Sequence, residues 1–253
     1  KNAARELGFE IADVMTGGDD SDLFMVALTG HFAAGETMDG GAGSDTLRFT
    51  GGSALVITTL TLTDDVTNIE TIEVANAAGA STGLFRVNVN AGALLTGVTI
   101  EGNNGINVIT GSGFDDSIYG NGGNDTLKGG AGNDTLYGGA GTDNLQGEAG
   151  DDTFVALSTA DGADTFNGGD GNDTLVFAGG NGTTLVLSAA KVISIESVEV
   201  ASDGGSANID GSAITTGLSM TGNDDDNFLT GGSVNDDIEG GDGADTLTGG
   251  IGE

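Results

Sequence analysis

The 253-residue chain has no cysteine, no proline and no tryptophan, and only 6 lysines and arginines stand against 39 aspartates and glutamates. Without cysteine there is no disulfide framework and no thiolate zinc or redox chemistry. A protein held together by metal needs no disulfides, so this absence does not argue for the cytosol. The single histidine, His31, cannot complete a two-histidine zinc site, and no Gly-Lys-Ser/Thr phosphate loop is present. No apolar run approaches the roughly 18 residues of a membrane span. The net charge of −33 repels nucleic acid and anionic membrane and calls for cations. Lys128, Lys191, Arg48 and Arg86 are too scattered to form a basic patch.

Glycine, by contrast, is abundant, with 49 residues, and it recurs in phase. From Gly102 to Val155 the chain divides into six nonapeptides without a gap. Position one is Gly102, Gly111, Gly120, Gly129, Gly138 and Gly147. Position six is Asn107, Asp116, Asp125, Asp134, Asp143 and Asp152, and position eight is Ile109, Ile118, Leu127, Leu136, Leu145 and Phe154. A disordered acidic linker fits the composition but not three residue classes locked to one grid. The grid returns with Asp22 and Phe24, with Asp45 and Leu47, with Asp164 and Phe166, and with Asp173 and Leu175. Near the end it carries Asn227 and Leu229, Asp236 and Ile238, and Asp245 and Leu247.

Two stretches rich in Thr, Val and Ile interrupt the grid and match each other. Val66 to Ala75 (VTNIETIEVA) parallels Val192 to Ala201 (VISIESVEVA), so roughly 17–110 and 147–230 read as two copies of one module. The expected organisation is an N-terminal cap or end of an upstream domain at 1–16, a short array at 17–50 and apolar coils at 51–101. A main array follows at 102–177, then coils at 178–221 and a truncated array at 222–253. The coils are expected to be further turns of the same solenoid without metal. Only Lys1 to Met15 carries helix-like spacing, with Leu7, Ile11 and Val14 on one face. Because the chain opens at Lys1 and stops at Glu253 inside a repeat, it is expected to be a fragment.

The first six residues of a unit favour a tight glycine turn and the last three a short strand with its middle residue inward. Two units then make one coil of eighteen residues. Ile109, Leu127 and Leu145 fall in one sheet and Ile118, Leu136 and Phe154 in the other. The same arithmetic stacks Asp116, Asp134 and Asp152 on one edge and Asp125 and Asp143 on the other. Carboxylates about 5 Å apart repel by about 1 kcal/mol per pair in water and several-fold more at lower dielectric. Cations must lie between the rungs. Carboxylates and turn carbonyls are hard oxygen ligands that suit calcium, whereas zinc and copper want histidine or cysteine.

These units resemble the RTX (repeats-in-toxin) hemolysin-type calcium-binding family. The resemblance implies an all-β fold, a right-handed parallel β-roll or β-helix solenoid with roughly ten calcium ions stacked in the Gly-Asp turns. It implies calcium held at position six by Asp22, Asp45, Asp116, Asp125, Asp134, Asp143, Asp152, Asp164, Asp173, Asp236 and Asp245. Asn107 and Asn227 occupy the same position, and Phe114, Asp225 and Val234 replace the usual glycine at position four. Sites with either departure are expected to be weak or distorted. The resemblance also implies bacterial export through a one-step (type I) channel and calcium-triggered folding outside the cell.

The alternation of arrays with wider coils is similar to that of RTX surface-layer and adhesin proteins. The expected chain is therefore a non-catalytic, extracellular or cell-surface element. Its partners are calcium and either further copies of itself in a lattice or filament or a surface polysaccharide. The competing reading is the C-terminal export domain of a secreted lipase, protease or cytolysin. Acidic pairs such as Asp64-Asp65 and Asp115-Asp116 are expected in so acidic a chain without catalysis. Phe114, Tyr119 and Tyr137 are expected to cover the roll or fill a turn.

Overall fold

In the computed structural model, residues 5–6, 14–27, 37–50, 58–75 and 86–252 are described. The described residues form a parallel β-solenoid. A twelve-stranded parallel sheet runs from Arg5–Glu6 to Asp237–Glu239. The chain alternates between this sheet and three smaller parallel sheets of three, seven and four strands. Arg5–Glu6 is a strand paired with Phe24 and Met25, and Val14–Gly18 is a strand as well, so neither is helical. Leu7, Ile11 and His31 lie outside the described residues.

The strands form where a short apolar alternation follows a glycine turn. In Ser117–Tyr119 and Thr135–Tyr137 only the middle residue is buried, which is the period-two pattern of a strand with one face inward. Ile118 pairs with Leu136 and Leu136 with Phe154 in the twelve-stranded sheet, while Ile109, Leu127 and Leu145 pair in the seven-stranded one. All six side chains are fully buried, and together they form the thin core expected from the eighteen-residue step.

Elsewhere the step is longer, yet apolar residues still meet. Phe154 pairs with Leu175 across a three-residue excess that is taken up by the 3-10 turn Thr159–Ala163. Ser158 caps that turn, and Asp161 closes the capping box. The Thr/Val-rich stretches enter the same sheet: Ile72 pairs with Leu47 and Ile100, and Val198 with Leu175 and Met220.

Each wide coil also splices the smaller sheets. Val66–Thr67 ends the three-stranded sheet while Thr58–Thr61 begins the seven-stranded one. In the second copy, Val192–Ile193 ends the seven-stranded sheet while Thr184–Ser188 begins the four-stranded one.

Tyr119 and Tyr137 stack with ring centroids 4.4 Å apart on the outside of the long sheet, over the strands as expected. Phe114 is 46% exposed and fills no turn.

Leu136→Ala should cost about 2–5 kcal/mol, the usual range for a buried leucine. Guanidinium unfolding at saturating calcium would show it as a lower midpoint. Thr135→Ser, on the outer face of the same strand, should leave the midpoint nearly unchanged.

Candidate metal centre

Each position-six side chain has one oxygen committed to the backbone. Asp134 Oδ1 accepts the N–H of Asp116 at 2.8 Å, Asp152 Oδ1 that of Asp134 at 2.8 Å, and Asp173 Oδ1 that of Asp152 at 2.9 Å. On the other edge Asp125 accepts from Asn107, Asp143 from Asp125, and Asp164 from Asp143. In the first array Asp45 accepts from Asp22, and in the last Asp245 accepts from Asn227 and Asp236 from Leu218. The structure thus gathers the acidic positions into stacked ladders, one on each edge of the main array.

The second oxygen is what makes the ladder a candidate site. Oδ2 of Asp45, Asp125, Asp134, Asp143, Asp152 and Asp173 is buried with no hydrogen-bond partner. Leaving a charged oxygen in that state is costly, so each one asks for a cation or a proton. The space in front of it is defined by position one of the unit. A Cβ added to Gly120 would lie 2.5 Å from Asp125 Oδ2 and 2.5 Å from the carbonyl oxygen of Gly138, one coil on. At Gly129 the same space faces Asp134 Oδ2 and the Gly147 carbonyl, and at Gly168 it faces Asp173 Oδ2 and the Ser194 carbonyl.

Carboxylate and carbonyl oxygens therefore converge where only glycine leaves room. This donor set fits calcium, which takes 6–8 oxygen ligands. Among the described residues no three Asp, Glu, His or Cys side chains converge. A cation held here would draw much of its coordination from backbone carbonyls.

Two members of the ladder went unrecognised in the sequence. Glu70 Oε2 accepts the N–H of Asp45 at 2.7 Å, and Glu196 Oε2 accepts that of Asp173 at 2.8 Å. Both sit just before a strand, as the position-six aspartates do, but at the end of the shorter turns Asn68-Ile69-Glu70 and Ser194-Ile195-Glu196. Asn68 and Ser194 adopt left-handed backbone, φ 52° and 49°, and Ile69 and Ile195 are buried inside these turns. The extra methylene of glutamate spans what the missing turn residues would have covered. The signal was the duplicated Ile-Glu immediately ahead of Thr71 and Ser197.

The electrostatics agree with the geometry. Burial pushes the carboxyls of Asp125 and Asp134 up to about 8, Asp164 to about 7 and Asp152 to about 6. The backbone N–H bonds oppose the rise, and neighbouring carboxylates add to it: Asp143 beside Asp125, Asp116 and Asp152 beside Asp134. Asp116, Asp143 and Asp173 are raised for the same leading reason, burial. Asp22, Asp236 and Asp245 are only partly buried.

One Gly-x-Ser-x-Gly spacing, Gly79 to Gly83, is present in the sequence and, like His31, falls outside the described residues. The expectation of a non-catalytic chain rests on composition and on the repeats.

Compared with known families, the chain matches the RTX calcium-binding nonapeptide repeat at residues 34–53, 101–136, 119–154, 156–183 and 221–253, a little over half its length. The matches pass over the two wide coils. No curated protein matches the chain.

Carboxyls raised in the folded state above their unfolded value near 3.9 stabilise the metal-free fold when protonated. That contribution is full below the unfolded value and is lost as pH rises through about 6 to 8. In chelator, circular dichroism should therefore show more β structure at pH 5 than at pH 8. Saturating calcium should remove the difference. A chelated chain better ordered at pH 8 than at pH 5 would contradict this reading of the ladder.

Proposed function

Since the chain belongs to the RTX calcium-binding nonapeptide repeat family, we propose that it is a calcium-rigidified segment of a secreted bacterial surface protein, surface-layer or adhesin-like. The observation that carries this reading is the continuity of one twelve-stranded sheet through both arrays and both wide coils. A continuous sheet makes the calcium turns part of an extended scaffold. The alternation of arrays and coils, repeated with the same splices, suits a protein that tiles or extends from a surface.

The metal residues of this proposal are drawn from the position-six set that the spacing gives. Asp125, Asp134, Asp143, Asp152 and Asp173 present buried oxygens to the position-one cradles, and the cradle carbonyls complete the cage. Bound calcium supplies the positive charge that lets neighbouring carboxylates stay ionised together. Sites filled at tenfold over their dissociation constant stabilise the fold by about 1.4 kcal/mol each. Affinities near 10⁻⁴–10⁻³ M, about those of extracellular modules, leave the turns empty before export and filled afterwards.

Small-angle scattering with calcium and with chelator tests the switch. For this length the radius of gyration should be about 55 Å unfolded and somewhat above the compact value of about 18 Å when rod-like. A compact profile unchanged by chelator would overturn the switch. Asp134→Ala should shift the calcium midpoint upward, while Asp64→Ala, on an exposed residue, should not. Electron microscopy of the calcium-loaded chain addresses the surface role. Sheets or filaments support it, whereas isolated rods beside a catalytic domain in the parent protein favour the export-domain reading.

A further inference from the structure

The repeats look alike in sequence, but apart from the 3-10 turn Thr159–Ala163 ahead of Asp164, which has no left-handed residue, their turns are of two kinds. In the turns that carry Asp45, Asp125, Asp134, Asp143, Asp152 and Asp173, positions two and four both adopt left-handed backbone. Gly130 and Gly132, at φ 123° and 110°, show the pattern, and Asn121 and Glu148 take it at position two without being glycine. The turn of Asp245 follows the same rule through Gly241 and Gly243. These are open turns, and the six aspartates first named are those whose Oδ2 is buried without a partner.

The turns of Asp22, Asn107, Asp116, Asn227 and Asp236 have no left-handed residue at position two or four. There the position-two N–H points inward and donates to the position-six side chain. Gly18 donates to Asp22 at 2.9 Å, Asn103 to Asn107 at 2.9 Å, Ser112 to Asp116 at 2.5 Å, Asn223 to Asn227 at 2.9 Å and Gly232 to Asp236 at 2.7 Å. In three of them the position-two side chain also accepts the N–H of position four: Asn103 from Gly105, Ser112 from Phe114 and Asn223 from Asp225. Asn107 and Asn227 finish the exchange by donating their amides to the carbonyls of Val87 and Ala207 in the wide coil before them.

We propose that calcium is confined to the open turns, and that the five closed turns hold none because the chain's own N–H already occupies the oxygen a cation would take. Filling a closed turn would strip the position-two N–H of its acceptor and force position two into a new backbone region. Closed turns stand at fixed places. Asn107 with Asp116, and Asn227 with Asp236, are the first turns after each wide coil, one on each edge. The Asn-Ile-Glu and Ser-Ile-Glu turns end the Asp45 and Asp173 ladders on the other side, and the ladder that starts at Asn107 ends at Asp164.

The columns of Asp45 and of Asp134 are thus bounded at both ends by metal-independent turns, which give the wide coils a fixed edge on which an array can order. This narrows the set of metal residues expected from spacing: Asp22, Asp116, Asp236, Asn107 and Asn227 leave it, and so does Asp164, whose 3-10 turn is not open.

The inference rests on the calcium reading above, and counting ions separates the two. Bound calcium is measured by native mass spectrometry and equilibrium dialysis on the full 253-residue chain, with Asp134→Asn and Asp116→Asn compared at saturating calcium. Asp134→Asn should lose one or two ions and raise the calcium midpoint, while Asp116→Asn should keep the wild-type count. Equal losses from both overturn the partition. Asp45→Asn and Asp22→Asn, in the separate first array, give the same decision if Asp134→Asn does not fold. A wild-type chain that binds no calcium overturns the calcium reading itself and the partition with it.

Discussion

An aspartate whose one oxygen receives the N–H of the preceding coil, and whose other oxygen is buried facing a glycine, is the contact on which this solenoid depends. The first bond sets the vertical register, since Asp134 reaches Asp116 only when the coils stack in step. The second oxygen makes that register expensive unless a positive charge arrives. Structure and ion demand are therefore the same feature seen from two sides. The apolar column of Ile118, Leu136 and Phe154 is thin, with one or two buried residues per strand. A core of this kind offers little surplus to offset several buried carboxylates at neutral pH.

The wide coils meet the same stacking problem with glutamate and isoleucine side chains. Glu70 and Glu196 supply the acceptor that the last aspartate of the first two arrays needs, and Ile69 and Ile195 fill the inside of the turn with side chain. Their left-handed neighbours Asn68 and Ser194 still send a carbonyl toward the last cradle. A coil can thus belong to the ladder by hydrogen bonding without a position-six aspartate.

The fold was largely legible in the sequence because a nine-residue grid of glycine, aspartate and an apolar residue admits few arrangements. The pairings of Ile109 with Leu127 and of Ile118 with Leu136 follow from counting alone. The stacking of Asp116, Asp134 and Asp152 was equally countable. What counting missed was set by backbone conformation. Asn121 and Asn103 are the same residue at the same position, yet one is left-handed and the other caps its own turn. Position four carried part of that difference, through Phe114, Asp225 and Val234, but Gly105 shows that glycine there does not force a turn open. Glu70 and Glu196 escaped because their turns are shorter than the grid. The strand at Arg5–Glu6 escaped because its helix-like spacing extends over too few residues to decide against pairing with Phe24.

The three extra residues absorbed by the Ser158-capped turn, and the longer excursions between Leu47, Ile72 and Ile100, leave the apolar pairing intact on both sides. Length is corrected within a single winding and no error is passed to the next. A chain built this way can gain or lose residues at its corners without re-registering anything downstream. Register is held by the inward-facing strand residues and the ladder carboxylates, and the corner segments between them absorb differences in length.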